Sequence, residues 1–313
     1  MSKYRPNTAI SIYDFFGKFP DEESARLHLE QNRWNGNITC PRCDGNKIGR
    51  FGKNEGWHRC NDCKKPFNVR TCSIFERSKI PLDKWLLAFY LTVTDRKGNS
   101  DVAISKKLSI TQKSAWFMAQ RIRAAMGSGK ADFILKGIVE CDEAYIGGKK
   151  RNWHRNGRQA VKGRGSVGKI PLFGMVERNG RAMTIVVPDT KKPTLQSIIR
   201  QYVEKGSVVC TDEWRSYIGL GKDYTHLVVN HKRKQYVNGI ASTNAIESRW
   251  AVFKRTYHGT HHCISPKHLQ RYADEFDFRH NEGNAKIPMM KRIDNLIGGC
   301  WGTRLTWKQL VAA

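Results

Sequence analysis

Acidic residues are scarce. Asp and Glu number 28 against 55 Lys and Arg in a chain of 313 residues, a formal charge of +27. Solubility requires far less, so the natural partner is a polyanion, with nucleic acid the first candidate. No run of about 18 apolar residues occurs, which argues against a membrane-spanning helix and an anionic-membrane partner. The opening stretch MSKYRPNTAISIYDFF lacks the long apolar segment of a secretion signal. The expectation is a soluble, intracellular and hence cytoplasmic protein with no membrane partner. Internal repeats and low-complexity segments are also missing. Nine cysteines are too few and too unevenly placed for a disulfide framework, and four of them form two C-x-x-C pairs. In a reducing compartment such pairs point to metal.

The length suits two to four modules, and the pattern divides into a short helical segment (1–36), a metal ribbon (37–72), a helical region (75–128) and a strand-rich domain (135–313). Cys40 and Cys43 in CPRC are followed, after sixteen residues, by Cys60 and Cys63 in CNDC. That spacing suits two hairpin knuckles around one tetrahedral ion. Redox thiols or a rubredoxin-type iron centre are the alternatives, and one structural zinc is the preferred reading. With cysteine at all four positions no coordination site is left for a reacting water.

SDVAISKKLSITQKSAWFMAQRIRAAM has the form of a helix-turn-helix, with Val102, Ile104 and Leu108 on one helix and Trp116, Ala119, Ile122 and Met126 on the other. Thr111 is the expected N-cap, and Gln112, Lys113 and Ser114 occupy the first turn that such a helix offers to a major groove. An ordinary helical pair on a core fits the same pattern.

The segment GIVECDEAYIGGKK alternates like a strand, placing Glu140, Asp142 and Ala144 on one face and Cys141, Glu143 and Tyr145 on the other. A second strand, VVCTDEW, also ends in an acidic pair, Asp212 and Glu213. A third acid, Glu247, borders the apolar stripe Ile246, Trp250, Phe253 and Tyr257 of a helix, with Lys254 on the same edge two turns on. Asn244 and Glu247 also fit an N-cap with its reciprocal glutamate. Carboxylates from separate elements form the oxygen-rich set preferred by Mg²⁺ or Mn²⁺, and two such ions activate an in-line displacement at phosphorus. The adjoining residues 149–169 carry eight Lys or Arg and no acid, so Lys149, Lys150 and Arg151 are candidate DNA contacts, as are Lys232 and Arg233 in HKRK.

The order of zinc ribbon, helix-turn-helix, VECDEAYIGGK, TDEWRSY, VNHKRKQYVNG, TNAIESRWAVFKR and HLQRYADEFDFRHN resembles bacterial insertion-sequence transposases of the ISXO-like, zinc-ribbon type. The resemblance runs from about residue 12 to TRLTWKQL and implies an α/β, RNase H-like mixed sheet flanked by helices, bearing a DDE triad. It implies Asp142, Asp212 and Glu247 as catalytic ligands of two Mg²⁺ or Mn²⁺ ions, with Lys254 following. Thirty-four residues separate Asp212 from Glu247, a separation typical of DDE enzymes. Asn244 and, more weakly, His231 are other claimants to the third position. Glycine is expected where this chain has Cys72. The implied activity is cleavage and strand transfer at terminal inverted repeats, with double-stranded DNA as partner and a homo-oligomer in the synaptic complex. A DNA-binding regulator with a vestigial core and an RNase H-like nuclease without strand transfer are the rival classes.

Overall fold

Two capping boxes start the first helices. Ser11 and Asp14 bond reciprocally ahead of α1 (Ile12–Lys18), and Asp21 and Ser24 do the same ahead of α2 (Glu22–Trp34). The computed structural model describes residues 9–52, 55–130, 133–148, 168–229 and 237–312. Three short antiparallel strands follow in the order β1 (Ile48–Arg50), β2 (His58–Cys60), β3 (Pro66–Phe67). Then α3 (Leu82–Thr94) is apolar on nearly every side and buries Leu82, Trp85, Leu86 and Phe89. Each such side chain contributes roughly 1.5–3 kcal/mol of hydrophobic stabilisation.

The helices α4 (Asp101–Leu108) and α5 (Gln112–Met126) are joined through Ser109, which takes a left-handed φ of 50°, and Thr111, whose hydroxyl accepts the Ser114 N–H at 3.2 Å. Ile104, Leu108, Ala119, Ile122 and Met126 are buried as the spacing predicts. Val102 departs from the pattern and is 48% exposed.

From residue 138 the period changes to two. The strands β4 (Ile138–Ile146), β5 (Ile170–Glu177) and β6 (Ala182–Val186) are antiparallel neighbours, the last two joined by the Asn179–Gly180 turn with Asn179 at φ 62°. After α6 (Lys192–Tyr202) come β7 (Val208–Thr211) and β8 (Thr225–Val228), which extend the sheet in parallel, giving the order β6-β5-β4-β7-β8. A small hairpin, β9 (Val237–Asn238) and β10 (Ala241–Ser242), leads into α7 (Asn244–Thr256), and α8 (Leu269–Asn281) follows.

Each face of the sheet has its own core. Val139 and Cys141 pack with Leu195 and Ile199 of α6. Ala144 and Ile146 pack with Ile246, Trp250 and Phe253 of α7 and with Leu269 of α8. A mixed sheet covered by helices is the RNase H-like α/β class that the resemblance implies. The α7 and α8 layer is tied by buried charge: Arg249 pairs with Asp277, which also receives Lys130 at 2.7 Å and the Thr184 N–H at 2.7 Å. Removing one member would strand the others in a dry interior, a costly arrangement.

The last segment, with α9 (Met289–Gly298) and α10 (Trp307–Val311), belongs to the unit made of Met1–Ser128 and Glu282–Ala313, while Gly129–Asn281 forms the other. The sequence expectation runs the strand-rich domain to residue 313, and in the structure that domain ends at Asn281. The reason lies in long-range arginine bonds. Arg292 donates to the Val93 carbonyl at 2.9 Å, and Arg121 donates to the carbonyls of Leu305 at 3.1 Å and Ile74 at 2.9 Å.

Candidate active site and metal centre

The cysteine pairs sit in two matching turns. Asp44 and Lys64, each directly after the second cysteine of its pair, take φ of 56° and 60°. The N–H of Cys40 donates to Gly45 O at 2.9 Å and that of Cys60 to Lys65 O at 3.1 Å. These turns bring Cys40 Sγ to 3.7 Å from Cys63 Sγ, and Cys43 Sγ to 3.6 Å from Cys60 Sγ, all four within 4.8 Å of one another. A tetrahedron built on ~2.3 Å zinc–sulfur bonds has edges of about 3.8 Å. The donor set therefore fits zinc in size and in chemistry. The Lys65 N–H and the neighbouring sulfurs bring the Cys63 thiol down to about 7, while at Cys43 the Gly45 N–H is outweighed by burial and the neighbouring sulfurs, which push it up to about 12, as when crowded thiols share one negative charge.

The carboxylates come from three elements. Asp142 lies on β4 and Asp212 just past β7, and these strands pair in parallel with Ile138 opposite Val208 and Glu140 opposite Cys210. The same register continued two residues brings Asp142 level with Asp212. Glu247 projects from the start of α7. Burial pushes Asp142 up to about 7, and the negative charges of Asp212 and Glu247 add to the rise. Gly174 on β5, opposite Asp142 in register, makes room for the helix: a Cβ there would stand 2.5 Å from Trp250 Cζ2 and 2.8 Å from Ile246 Cδ1.

The start of α7 differs from the local pattern. Thr243, not Asn244, is the N-cap, and its side chain makes no capping bond to the helix backbone. Its hydroxyl donates instead to Glu247 Oε1 at 2.9 Å. The orphan N–H groups of Ala245 and Ile246 are taken by Glu140 Oε2 on β4, at 2.8 and 3.2 Å. Arg178 Nη2 donates to Glu140 Oε1 at 2.9 Å, and Arg178 Nη1 donates to the Ile240 carbonyl at 3.0 Å. Glu140 is absent from the site residues drawn from sequence. Its sharing of the Asp142 face at period two is the signal that could have found it.

Glu143 occupies the other face, where it accepts the Tyr217 hydroxyl at 2.5 Å. Burial raises Glu143 to about 7, opposed by that hydrogen bond and reinforced by the charges of Asp142 and Asp212. Asp212 Oδ1 accepts the Trp214 N–H at 2.9 Å, and the Trp214 side chain is 49% exposed.

Among the expected DNA contacts, Gln112 and Lys113 are exposed on the first turn of α5 and Ser114 is half-buried beside them. The Lys113 ammonium stands 4.8 Å above the Trp307 ring, whose edges meet Trp116 and Phe117 at centroid distances of 5.7 and 5.4 Å. Trp307 carries no local sequence signal for this contact. Lys254 is exposed on α7. Lys149, Lys150, Arg151, His231, Lys232 and Arg233 lie outside the described residues.

Comparison with known proteins agrees with this layout. Residues 134–281 match the ISXO2-like transposase domain and residues 20–66 the transposase zinc-ribbon domain. A protein in transposable element ISH50 of Halobacterium salinarum is 29% identical over 273 residues, covering 83% of this chain and 91% of its own length. A transposase-like protein of Haemophilus influenzae is 31% identical over 124 residues, 36% of this chain and 93% of that relative. With a cysteine cluster that fits zinc ahead of a helix-covered mixed sheet, and with both domains matched in that order, the chain belongs to the zinc-ribbon, ISXO2-like transposases.

Proposed function

We propose that the protein binds the terminal inverted repeats of its own element, hydrolyses DNA strands at those ends, and joins the freed 3′-hydroxyls to target DNA. The observation that carries this reading is the meeting of Asp142, Asp212 and Glu247, from β4, the end of β7 and α7, closely enough for the latter two to raise the first. Their donor chemistry suits Mg²⁺ or Mn²⁺, and acids contributed by three separate elements suit a pair of ions about 3.5–4 Å apart engaging one phosphodiester. Bound there, such ions would supply Lewis acidity to both the attacking and the leaving oxygen.

The chain's own residues do the rest. Asp142 anchors the site from the rigid centre of the sheet, and Thr243 orients Glu247. Lys254, seven residues after Glu247 on the same helix edge, contacts phosphate near the cleavage point. In the first step water attacks phosphorus and the 3′ oxygen departs with a proton; in the second that 3′-hydroxyl gives up its proton and attacks a target phosphodiester, displacing the target strand's own 3′ oxygen, which leaves as a hydroxyl. The helical region 75–128 reads the repeat through Gln112, Lys113 and Ser114, and the basic residues Lys149, Lys150, Arg151, Lys232 and Arg233 hold phosphates. A homo-oligomer bridges two ends.

Incubating the protein with duplexes carrying the element's ends and Mg²⁺ or Mn²⁺, then sizing the products, tests the reading. Cleaved ends and joined products are expected. Cleavage without joining would indicate a nuclease, and binding with neither would indicate a regulator.

A further inference from the structure

A helix begins with four backbone N–H groups that lack partners inside it, and a Ser or Thr N-cap usually serves them. Thr243 stands at that position in α7 yet gives its hydroxyl to the Glu247 side chain. The helix start is served from a distance of more than a hundred residues in sequence, by Glu140. That carboxylate is 1% exposed, and an ionised carboxylate is costly to bury unless it is both paired and hydrogen-bonded. Here it has all three supports: the Ala245 and Ile246 N–H groups, the positive end of the α7 dipole, and the Arg178 guanidinium. Arg178 uses its other nitrogen to grip the Ile240 carbonyl in the turn that enters the helix. Anchoring the helix alone would need only a local cap. The long-range arrangement does more, because Glu140 lies two residues before Asp142 on the same strand face, so one backbone segment fixes both Asp142 and the helix carrying Glu247.

We infer that Glu140, assisted by Arg178, is a positioning residue for the carboxylate site. It docks the first turn of α7 on β4 and thereby sets Glu247 relative to Asp142, while Thr243 orients the Glu247 side chain. The inference rests on the reading of Asp142, Asp212 and Glu247 as metal-holding acids.

The test uses the full-length, zinc-loaded protein and Mn²⁺ as probe. Mn²⁺ affinity is read from loss of the free-ion paramagnetic resonance signal, alongside end-DNA affinity, thermal unfolding and cleavage. Glu140→Leu removes the acceptor and is expected to weaken Mn²⁺ binding by roughly 10- to 100-fold, the range found when groups supporting metal ligands are removed, with DNA affinity unchanged. Glu140→Gln keeps an oxygen for the two N–H groups and is expected to weaken it less. Arg178→Leu, which releases the Ile240 carbonyl, should fall between them. A purely structural anchor would lower the unfolding temperature without moving Mn²⁺ affinity, and wild-type affinity in folded Glu140→Leu overturns the inference. If that variant does not fold, wild-type Mn²⁺ affinity in both Glu140→Gln and Arg178→Leu overturns it instead. Failure of the underlying reading looks different: Asp142→Asn would then bind Mn²⁺ and cleave as the wild type does.

Discussion

Asp142 and Glu143 are adjacent carboxylates with opposite surroundings, and their difference decides what each substitution does. Asp142 shares its face with Glu140 and the α7 layer, whereas Glu143 turns to Tyr217 on the other side. On the proposed reading, Asp142→Asn removes charge and a metal ligand together. A loss of about 4 kcal/mol in transition-state stabilisation is about a thousandfold in rate, so end cleavage should fall at least that far while DNA binding persists. Glu143→Gln keeps an acceptor for the Tyr217 hydroxyl and should be much milder; the reverse order in a cleavage assay would shift the assignment by one residue. The Asp142 carboxyl also gives a pH signature in metal-free protein. Its folded pKa, about 7, lies above the usual 3.8, so the folded state holds the extra proton between those values and stability falls as pH rises through the window. Asn has no proton to lose. The unfolding temperature of Asp142→Asn minus that of wild type should therefore grow from pH 5 to pH 7.5, and saturating Mn²⁺ should shrink the gap by stabilising wild type alone. A flat difference would refute the burial of this charge. Cys72 shows how much one residue can reveal: glycine is the expectation there, and the backbone stands at φ 52°, where glycine is at ease.

Elements whose signals are local are legible in the sequence. The alternation of 138–146, the Asn-Gly turn before β6 and Thr111 ahead of α5 all stand where their patterns place them. The start of α7 departs from its local pattern because its cap comes from β4, and no window around Asn244 contains Glu140. The closeness of α7 to β5 is equally hidden, since it depends on Gly174 facing Trp250 and Ile246. Gly174→Ala should cost roughly 1–3 kcal/mol through overpacking, and because the helix must lift, cleavage should fall further than the lost stability explains. Calorimetry paired with a cleavage assay at a temperature where the variant is fully folded separates the two; equal cleavage by folded variant and wild type would show that the helix need not sit so close. The ribbon is the opposite case, legible from two tetrapeptides. Its three strands are two or three residues long, too little sheet to stand alone, so the ion is a large part of its folding energy. Elemental analysis should find one zinc per chain, and a strong chelator should abolish the ribbon's chemical-shift dispersion while the sheet unit, Gly129–Asn281, keeps its own.

At the scale of the whole molecule, charge and chain path matter more than any motif. Composition alone points to a polyanion, but it does not show that Glu282–Ala313 returns to the N-terminal unit, since that path depends on arginines reaching carbonyls nearly two hundred residues away. Trp307 is carried back in this way to the first turn of α5, beneath the Lys113 ammonium. Two kinds of DNA contact are therefore open to separate tests. A lysine held over an aromatic ring beside a helix N-terminus has a fixed place from which to meet a base edge or a particular phosphate, so Lys113→Ala should discriminate among end sequences. The basic run 149–169, with eight Lys or Arg and no acid, offers charge without a preferred base and should act through phosphates alone. Removing one cation from its phosphate reduces the slope of log binding constant against log salt by about 1. Neutralising Lys149, Lys150 and Arg151 together should flatten that slope by about 3 if all three engage phosphate, and should weaken binding to end and random duplexes by the same factor. Salt titrations on both duplexes measure this. An unchanged slope would remove these residues from the DNA path, and a loss confined to the end duplex would make them readers of sequence rather than holders of phosphate.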